Sequence, residues 1–420
     1  MEEFRKYTLD EISKGKGSYG IAASAVPFDS SLYTYLRITD INDDGSLNKS
    51  GLTSVDEDNA GNFLLKPNDI VFARTGNSTG RAYFYDGSDG ELVYAGFLIK
   101  FSLDESKINP RILKYYTHSK PYYDWVRSFD TGGTRGNINA KTYGNMPITL
   151  PSRATQDCIV EILKSLDDKI EVNRQINDNL EQQANALFKS WFVDFEPFKD
   201  GEFVESELGM IPKGWRVVTL NDACKKITDG SHYSPKNNAN GTIPMLSVKD
   251  MKHNGFDYTS CKMIDLEEFK RMKANDCVPL KNDILVAKDG SYLKEIFLCS
   301  EENQQAILSS IAIFRSDNDI IYPDILLHLL RSPNVRKDVG DNYVSGSALP
   351  RIVLKDFKKY KFIVAPIEVQ NRLYETLRSI NRGINCNELE SRRLANLRDT
   401  LLPKLMSGEL KINEVEKAYE

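Results

Sequence analysis

The 420-residue sequence is defined first by what it does without. No apolar run approaches the roughly 18 residues that a membrane-crossing helix needs, so the chain is expected to have no membrane partner. The opening MEEFRKYTLDE is acidic and mixed, unlike a secretory signal, which fits a cytoplasmic protein. The six cysteines (158, 224, 261, 277, 299, 386) form no C-x-x-C pair, and the four histidines (118, 232, 253, 328) are scattered, so no zinc site is expected. Reduced, mostly buried thiols are the expectation. The chain has no Pro-Pro, and Asn109-Pro110 is followed by Arg111, so the Asn/Asp-Pro-Pro-Tyr/Phe motif that grips a flipped adenine is missing. It has neither a G-x-x-x-x-G-K-[ST] phosphate loop nor a dinucleotide fingerprint. Asp283, Asp289, Glu295, Lys288 and Lys294 make a poor metal-dependent nuclease, because such residues recur by chance in any polar chain. Ser231, His232 and Asp229 are neighbours in one loop and cannot converge as a triad. An excess of positive charge is missing too: the net charge is -5 and the pI about 5.7, which counts against a simple basic nucleic-acid binder.

What is present is the chain's own repetition. LKPNDIVFARTG (65–76) matches LKNDILVAKDG (280–290), with Asp69 over Asp283 at an offset of 214 residues. YLRITDINDDG (35–45) lies over MLSVKDMKHNG (245–255), KYTLDEI (6–12) over VVTLNDA (217–223), PRILKYYTHS (110–119) over PDILLHLLRS (323–332), and GGTRGNI (132–138) over GSALPRI (346–352). QDCIVEILKSLDDKIEVNRQINDNL (156–180) lies over QNRLYETLRSINRGINCNELESRRL (370–394), again at 214. The period is far too long for a solenoid. It reads as a duplicated unit of one globular domain and one long helix.

The runs DIVFAR, ELVYAGFLIKF, DILVAK and QAILSSIAIF have strand length and β-branched content between turn residues. Each head also carries one expected helix, near 110–128 and 323–338. The fold class is α/β (α+β), with two similar heads and two long helices. Ile159, Leu163, Leu166, Ile170, Ile176, Leu180, Ala184, Leu187 and Trp191 form a heptad seam in the first helix. Leu373, Leu377, Ile380, Ile384, Leu394, Leu401 and Leu405 form one in the second. Asn173 and Asn387 fall at equivalent seam places, either buried and fixing register or facing water. Thr155 is the expected N-cap, and residues 155–192 span roughly 55–60 Å as helix. If the copies share a pseudo-two-fold, the helices pair antiparallel and hold the heads at opposite ends. Otherwise each packs on its own head and on other subunits. The expected division is 1–150 (head), 151–200 (helix and hinge), 201–365 (head) and 366–420 (helix and tail).

On these residues the chain resembles the specificity subunit of a type I restriction–modification enzyme. The resemblance covers essentially the whole length. It rests on the two-copy order, on NDIVFARTG and NDILVAKDG, and on SVKDM after ITDGSHYSP. LPS…Q and APIEVQ, which open the helices, and LFKSWFVDFEPF followed by LGMIPKGW carry the rest. One departure is the second helix start, one residue shorter between proline and glutamine, which implies a different hinge geometry. The resemblance implies that each head is a target recognition domain for one half of a split, asymmetric double-stranded DNA site, and that the helices set the unread gap. It implies a chain that is non-catalytic by itself, a subunit of an adenine-N6 DNA methyltransferase and site-specific endonuclease. Two methylation subunits would dock on it, and restriction subunits would join. S-adenosylmethionine, ATP and Mg would belong to those partners, with no cofactor on this chain. A paired-head scaffold that binds only proteins is the alternative.

Four loop sets are candidates for DNA contact. The first is Ser18 and Tyr19 in the first copy, with Ser231, His232 and Tyr233 in the second, in polar turns whose hydroxyls and amides reach phosphates or base edges; a plain solvated turn is the bland reading. The second is Arg74 and Lys288 at strand ends, for guanine or phosphate, against a structural ion pair. The third is Thr134, Arg135 and Asn137, with Ser347, Leu349 and Arg351. Lys249 is the fourth; its counterpart Thr39 is uncharged. Leu163, Leu166, Ile170, Asn173, Leu180, Leu377, Ile380, Ile384, Asn387 and Leu394 are the expected helix-packing set. Trp191, Phe192, Phe195 and Phe198 read as a hinge core rather than a docking patch. The charge deficit is local: residues 151–200 carry 6 basic and 10 acidic side chains, while 201–365 carry 23 and 22.

Overall fold

The computed structural model describes residues 4–129, 136–290, 292–300, 304–346 and 349–410. The chain divides into two compact units, residues 1–170 with 393–420, and residues 171–392. The division falls inside both long helices, so each unit holds one head and a stretch of each helix.

The first head has two four-stranded sheets. One runs in the order Ser18–Tyr19, Leu98–Ser102, Asp69–Ala73, Ala82–Tyr85, all antiparallel. The other runs Val26–Pro27, Thr53–Val55, Tyr33–Leu36, Leu92–Tyr94, and its last pair is parallel. The second head repeats the plan. Cys224–Asp229, Ile311–Ser316, Ile284–Ala287 and Ile296–Leu298 form the antiparallel sheet. Lys262–Ile264, Ile243–Leu246 and Ala306–Ile307 form the mixed one, again with a parallel last pair. A helix, Leu266–Ala274, and a hairpin, Phe203–Ser206 with Gly209–Pro212, are particular to the second unit.

The matched NDIVFA and NDILVA segments are central strands because both of their faces are buried. Ile70 and Phe72 enter one core and Val71 and Ala73 another. Ile284 and Val286, and Leu285 and Ala287, divide in the same way, as the two-residue period of a strand requires. Asp69 and Asp283 open these strands and are buried without being free. Asp69 accepts from Lys66 N and Ser102 Oγ at 2.8 and 2.6 Å. Asp283 accepts from Leu280 N at 2.8 Å and from both arms of Arg315 at 2.8 and 2.9 Å. KYTLDEI and VVTLNDA form matching capping turns: Thr8 exchanges bonds with Glu11 as Thr219 does with Asp222.

Several sequence expectations need correction. ELVYAGFLIKF is two strands, Leu92–Tyr94 and Leu98–Ser102, lying in different sheets; QAILSSIAIF divides likewise into Ala306–Ile307 and Ile311–Ser316. Each expected head helix is two: Ile112–Tyr116 and Lys120–Arg127, then Pro323–Arg331 and Pro333–Asn342. Ser119 and Ser332 break them, because each accepts a capping bond from the residue three further on and is followed closely by proline.

The first long helix spans Arg153–Phe192, so Thr155 lies inside it. Its N–H is capped by Ser152 Oγ at 3.3 Å. The second spans Ile367–Ser407. Despite the shorter Pro-to-Gln spacing, one glutamine bond recurs at both helix starts. Gln156 Nε2 donates to Pro151 O and Gln370 Nε2 to Ala365 O, both five residues upstream and both at 2.9 Å. Their Oε1 atoms accept from Asn109 N and Tyr322 N, tying each helix start to its head.

In the first unit, Leu163 joins the head core beside Leu402 and Leu405, and Leu166 is buried. Ile170 and Leu394 are half-buried. Leu402, not Leu401, takes the buried place. In the second unit, Leu377, Ile380 and Ile384 join the head core, with the half-buried Leu180 packed against it. Ile176 is off the seam, 42% exposed, and Asn177 replaces it. Asn173 is 1% exposed, and its Nδ2 donates to Glu390 Oε2 at 2.7 Å and Ser391 Oγ at 3.3 Å. The half-buried Asn387 donates to Asn177 Oδ1 at 2.8 Å, and Asn177 to Ile384 O at 3.3 Å. Partner numbers fall as helix numbers rise, so the two stretches run antiparallel within this unit. Ser391 and Asn177 are themselves 214 apart, so the Asn173–Ser391 and Asn387–Asn177 bonds are one interaction seen in both copies.

Trp191, Phe192, Phe195 and Phe198 form the expected hinge core, with Phe192, Phe195 and Phe198 all within 5.6 Å of the Trp215 ring and Trp191 edge-on to Phe198. The thiols are less hidden than expected. Cys224 and Cys299 are buried, Cys386 is exposed and the other three are half-buried. Burial pushes the Cys224 thiol up to about 12.

Candidate nucleic-acid interface

In each head, segments distant in sequence meet at the end of the central strand. In the first head, Arg74 N donates to Phe97 O, and Ile138 N donates to Arg74 O. The second head repeats both bonds, from Lys288 N to Ser310 O and from Ile352 N to Lys288 O. This places Asn137 and Arg351 at equivalent positions beside the strand end. A glycine completes the junction. A Cβ on Gly20 would lie 2.1 Å from Tyr94 O, and one on Gly230 2.3 Å from Ile307 O, so only glycine allows the chain to pass.

The glycines fix how these segments correspond in the two copies. Gly20 aligns with Gly230, so Tyr19 corresponds to Asp229, and Ser231 corresponds to Ile21; both Ser231 and Ile21 make the same parallel bridge. Ser231 Oγ donates to Tyr233 O at 2.8 Å and accepts from Tyr233 N at 3.1 Å, which closes a tight turn. Tyr233 is exposed and lies under the Arg271 guanidinium. His232 Nε2 lies 3.3 Å from Asp229. Ser18 donates to or accepts from Tyr94 Oη at 2.9 Å.

The chemistry of the two junctions differs. In the first, the Arg74 guanidinium lies 5.0 Å over the Tyr19 ring. Tyr19 is 42% exposed, and its hydroxyl accepts from Ala140 N at 3.1 Å. Phe97 and Asn137 are exposed beside it. In the second, Lys288 is 5% exposed, with its ammonium on Asp229 Oδ2 at 2.5 Å. The structural ion pair, the alternative reading of Lys288, is thus the state observed. Arg351 lies 3.0 Å from Asp289 Oδ1. Lys249 is exposed on a turn whose Val248 N donates to Ser310 Oγ, next to the Lys288 backbone. Thr134, Arg135 and Ser347 lie outside the described residues. Phe97 and Ser310 were missed in the sequence and Asp289 was weighed there only as a nuclease residue, since only the fold brings them to the strand end.

Glu181 of the first long helix accepts from His253 Nε2 and Asn254 Nδ2, both at 2.8 Å, and Asn254 Oδ1 accepts from Arg331 at 2.8 Å. Burial pushes the Glu181 carboxyl up, but the His253 and Asn254 bonds outweigh it and the net shift is downward. The Glu181 bond raises His253. This network fixes the loop before Gly255 against helix and head.

Asp283 is taken by Arg315, and among the described residues no group of three His, Cys, Asp or Glu side chains is placed to hold a metal ion. Among them, too, no helix is long and apolar enough to cross a membrane. Two heads of one topology, with one junction backbone and different junction side chains, define a duplicated recognition module. The chain belongs to the family of type I restriction modification DNA specificity domains, which matches residues 1–182 and again 212–398. It is 30% identical over 317 residues to the type I restriction enzyme MjaIX specificity subunit of Methanocaldococcus jannaschii, covering 72% of this chain and 69% of that one. It is 23% identical over 410 residues to the HindI specificity subunit of Haemophilus influenzae, covering 82% and 87%. The crystal structure of a type I restriction–modification S subunit from M. genitalium has the same fold, with a TM-score of 0.53 at 16% identity over 96% of both chains. These relatives are specificity subunits of type I restriction systems.

Proposed function

We propose that this chain reads a split, asymmetric sequence in double-stranded DNA, one half with each head, and carries the subunits that act on that DNA. The observation behind this reading is the junction: one backbone arrangement, built twice, with different side chains on it. A catalytic site would repeat its chemistry, whereas a reader of two half-sites keeps its frame and varies its contacts. The partners are two methylation subunits, with restriction subunits joining them, in an adenine-N6 methyltransferase and endonuclease. S-adenosylmethionine, ATP and Mg belong to those subunits. The paired long helices set the unread gap. The near-balanced charge of residues 201–365, 23 basic against 22 acidic, suits a subunit that shares its grip on the duplex with partners.

DNA binding by the complex of this chain with its methylation subunits tests the reading against a scaffold that binds only proteins. With 6–10 phosphate contacts, affinity for cognate DNA falls about 10³–10⁵-fold between 50 and 200 mM salt through counterion release. Binding that is indifferent to salt, or equal on all sequences, would overturn it.

A further inference from the structure

The two junctions leave their cations in opposite states. Arg74 makes no ion pair among the described residues; the Tyr19 ring supports its guanidinium at 5.0 Å, and its Nε is buried without an acceptor. Its counterpart Lys288 is buried and held by Asp229. At the neighbouring position the order reverses. The first head has the uncharged Asn137, and the second has Arg351, whose side chain is 56% exposed. Asp289 lies closest to Arg351 at Nε, and among the described residues the two terminal amino groups make no hydrogen bond. Each head therefore presents one braced guanidinium at the strand end, from different segments of chain. Tyr19 braces one by its ring face and Asp289 braces the other by its charge.

We propose that the guanidinium that reads a base is Arg74 in the first head and Arg351 in the second, and that Lys288 is a positioning residue. The inference rests on the proposed DNA reading and deepens it. Guanidinium is suited to the task because its planar fork matches O6 and N7 of guanine in the major groove, and a brace that fixes its plane lowers the cost of ordering it on DNA. Lys288 reaches DNA only by breaking its ion pair with the half-buried Asp229. Its bond to Asp229 instead pins the strand end to the strand Cys224–Asp229, and its backbone carries Ile352, so it sets where Arg351 stands.

Adenine-methylation mapping in cells that carry the complete system tests this with four variants. R74A relaxes one G·C position in one half of the recognised sequence, lowering discrimination there by about 10–100-fold, and R351A does the same in the other half. R74K and R351K keep the charge but lose the fork, so each relaxes the same position as its alanine variant. A double variant, D229N with K288M, removes the ion pair that sets where Arg351 stands; it lowers the melting temperature and relaxes only the position that R351A relaxes, by a smaller factor. Recognition that survives R74A or R351A at every base pair would overturn the inference while leaving the DNA reading intact. So would relaxation in the D229N and K288M double variant at a position that R351A leaves unchanged. A wild-type map without any shared sequence would instead overturn the reading on which the inference stands.

Discussion

Asp167 holds two cations from different parts of its unit. Its carboxylate accepts from Lys114 Nζ at 2.7 Å and Tyr115 Oη at 3.1 Å in the head, and from Arg398 on the second long helix at 2.9 Å. Burial pushes this carboxyl up, but Lys114 and Arg398 outweigh it, so its net position is below the ordinary aspartate range. A carboxyl lowered in the folded state makes the unfolded chain bind protons more readily. Its contribution is complete above the unfolded value and is lost as pH falls through the folded one. Asp167→Asn therefore lowers stability at neutral pH and shows a smaller loss between neutral pH and pH 3 than the wild type. Urea unfolding at a series of pH values checks this, and parallel acid limbs would contradict it. The repeat supplies the contrast. The equivalent position is Asn381, whose Nδ2 donates to the buried Asp324 at 2.7 Å. There burial dominates and raises the Asp324 carboxyl. The same joint between head and helix is thus ionic in one copy and hydrogen-bonded to a carboxyl that resists ionisation in the other.

At the scale of elements, the polar layer of Asn173, Asn177, Asn387 and Ser391 gives the paired helices their register. An apolar seam alone tolerates sliding by a heptad, because leucine replaces leucine. A slip of the second helix leaves the Asn173 amide in the seam without its acceptors, and a buried unsatisfied polar group costs about 1–3 kcal/mol. Asn173→Leu with Asn177→Leu is expected to raise the melting temperature while removing that penalty for sliding. The methylated sequence of such a variant shows more than one gap length, where the wild type shows one. A single unchanged gap would assign register to the apolar contacts alone. How much of this was readable beforehand follows from the periods. The heptad steps placed the long helices, and Asn173 and Asn387 were visible on the seam. Asn177 was also readable, four residues after Asn173 on the same face, but Ile176 offered an apolar alternative that the structure leaves exposed. The strands that change sheets were not readable. ELVYAGFLIKF is continuously apolar, and only the pairing partners show that Ala95–Phe97 is a bend from one sheet to the other.

For the whole molecule, the 214-residue repeat was legible from end to end, and the structure extends it to hydrogen bonds. The Gln156 and Gln370 staples, the Thr8 and Thr219 capping turns and the two strand-end junctions recur atom for atom. The candidate site was legible only in part. Arg74, Lys288, Asn137 and Arg351 were singled out from the repeat, and within each head the two come together. Which cation is free was not legible, because it depends on the residue before a glycine on another strand. The distribution of identity and difference is what a modular reader requires: shared residues build the frame, and the loops on it diverge. The central claim is that each head is responsible for one half of one recognised sequence. Adenine-methylation mapping after exchange of residues 1–150 for the first head of another family member tests it most directly. The account predicts that one half of the methylated sequence changes while the other half stays the same. A change in both halves, or in neither, would contradict it.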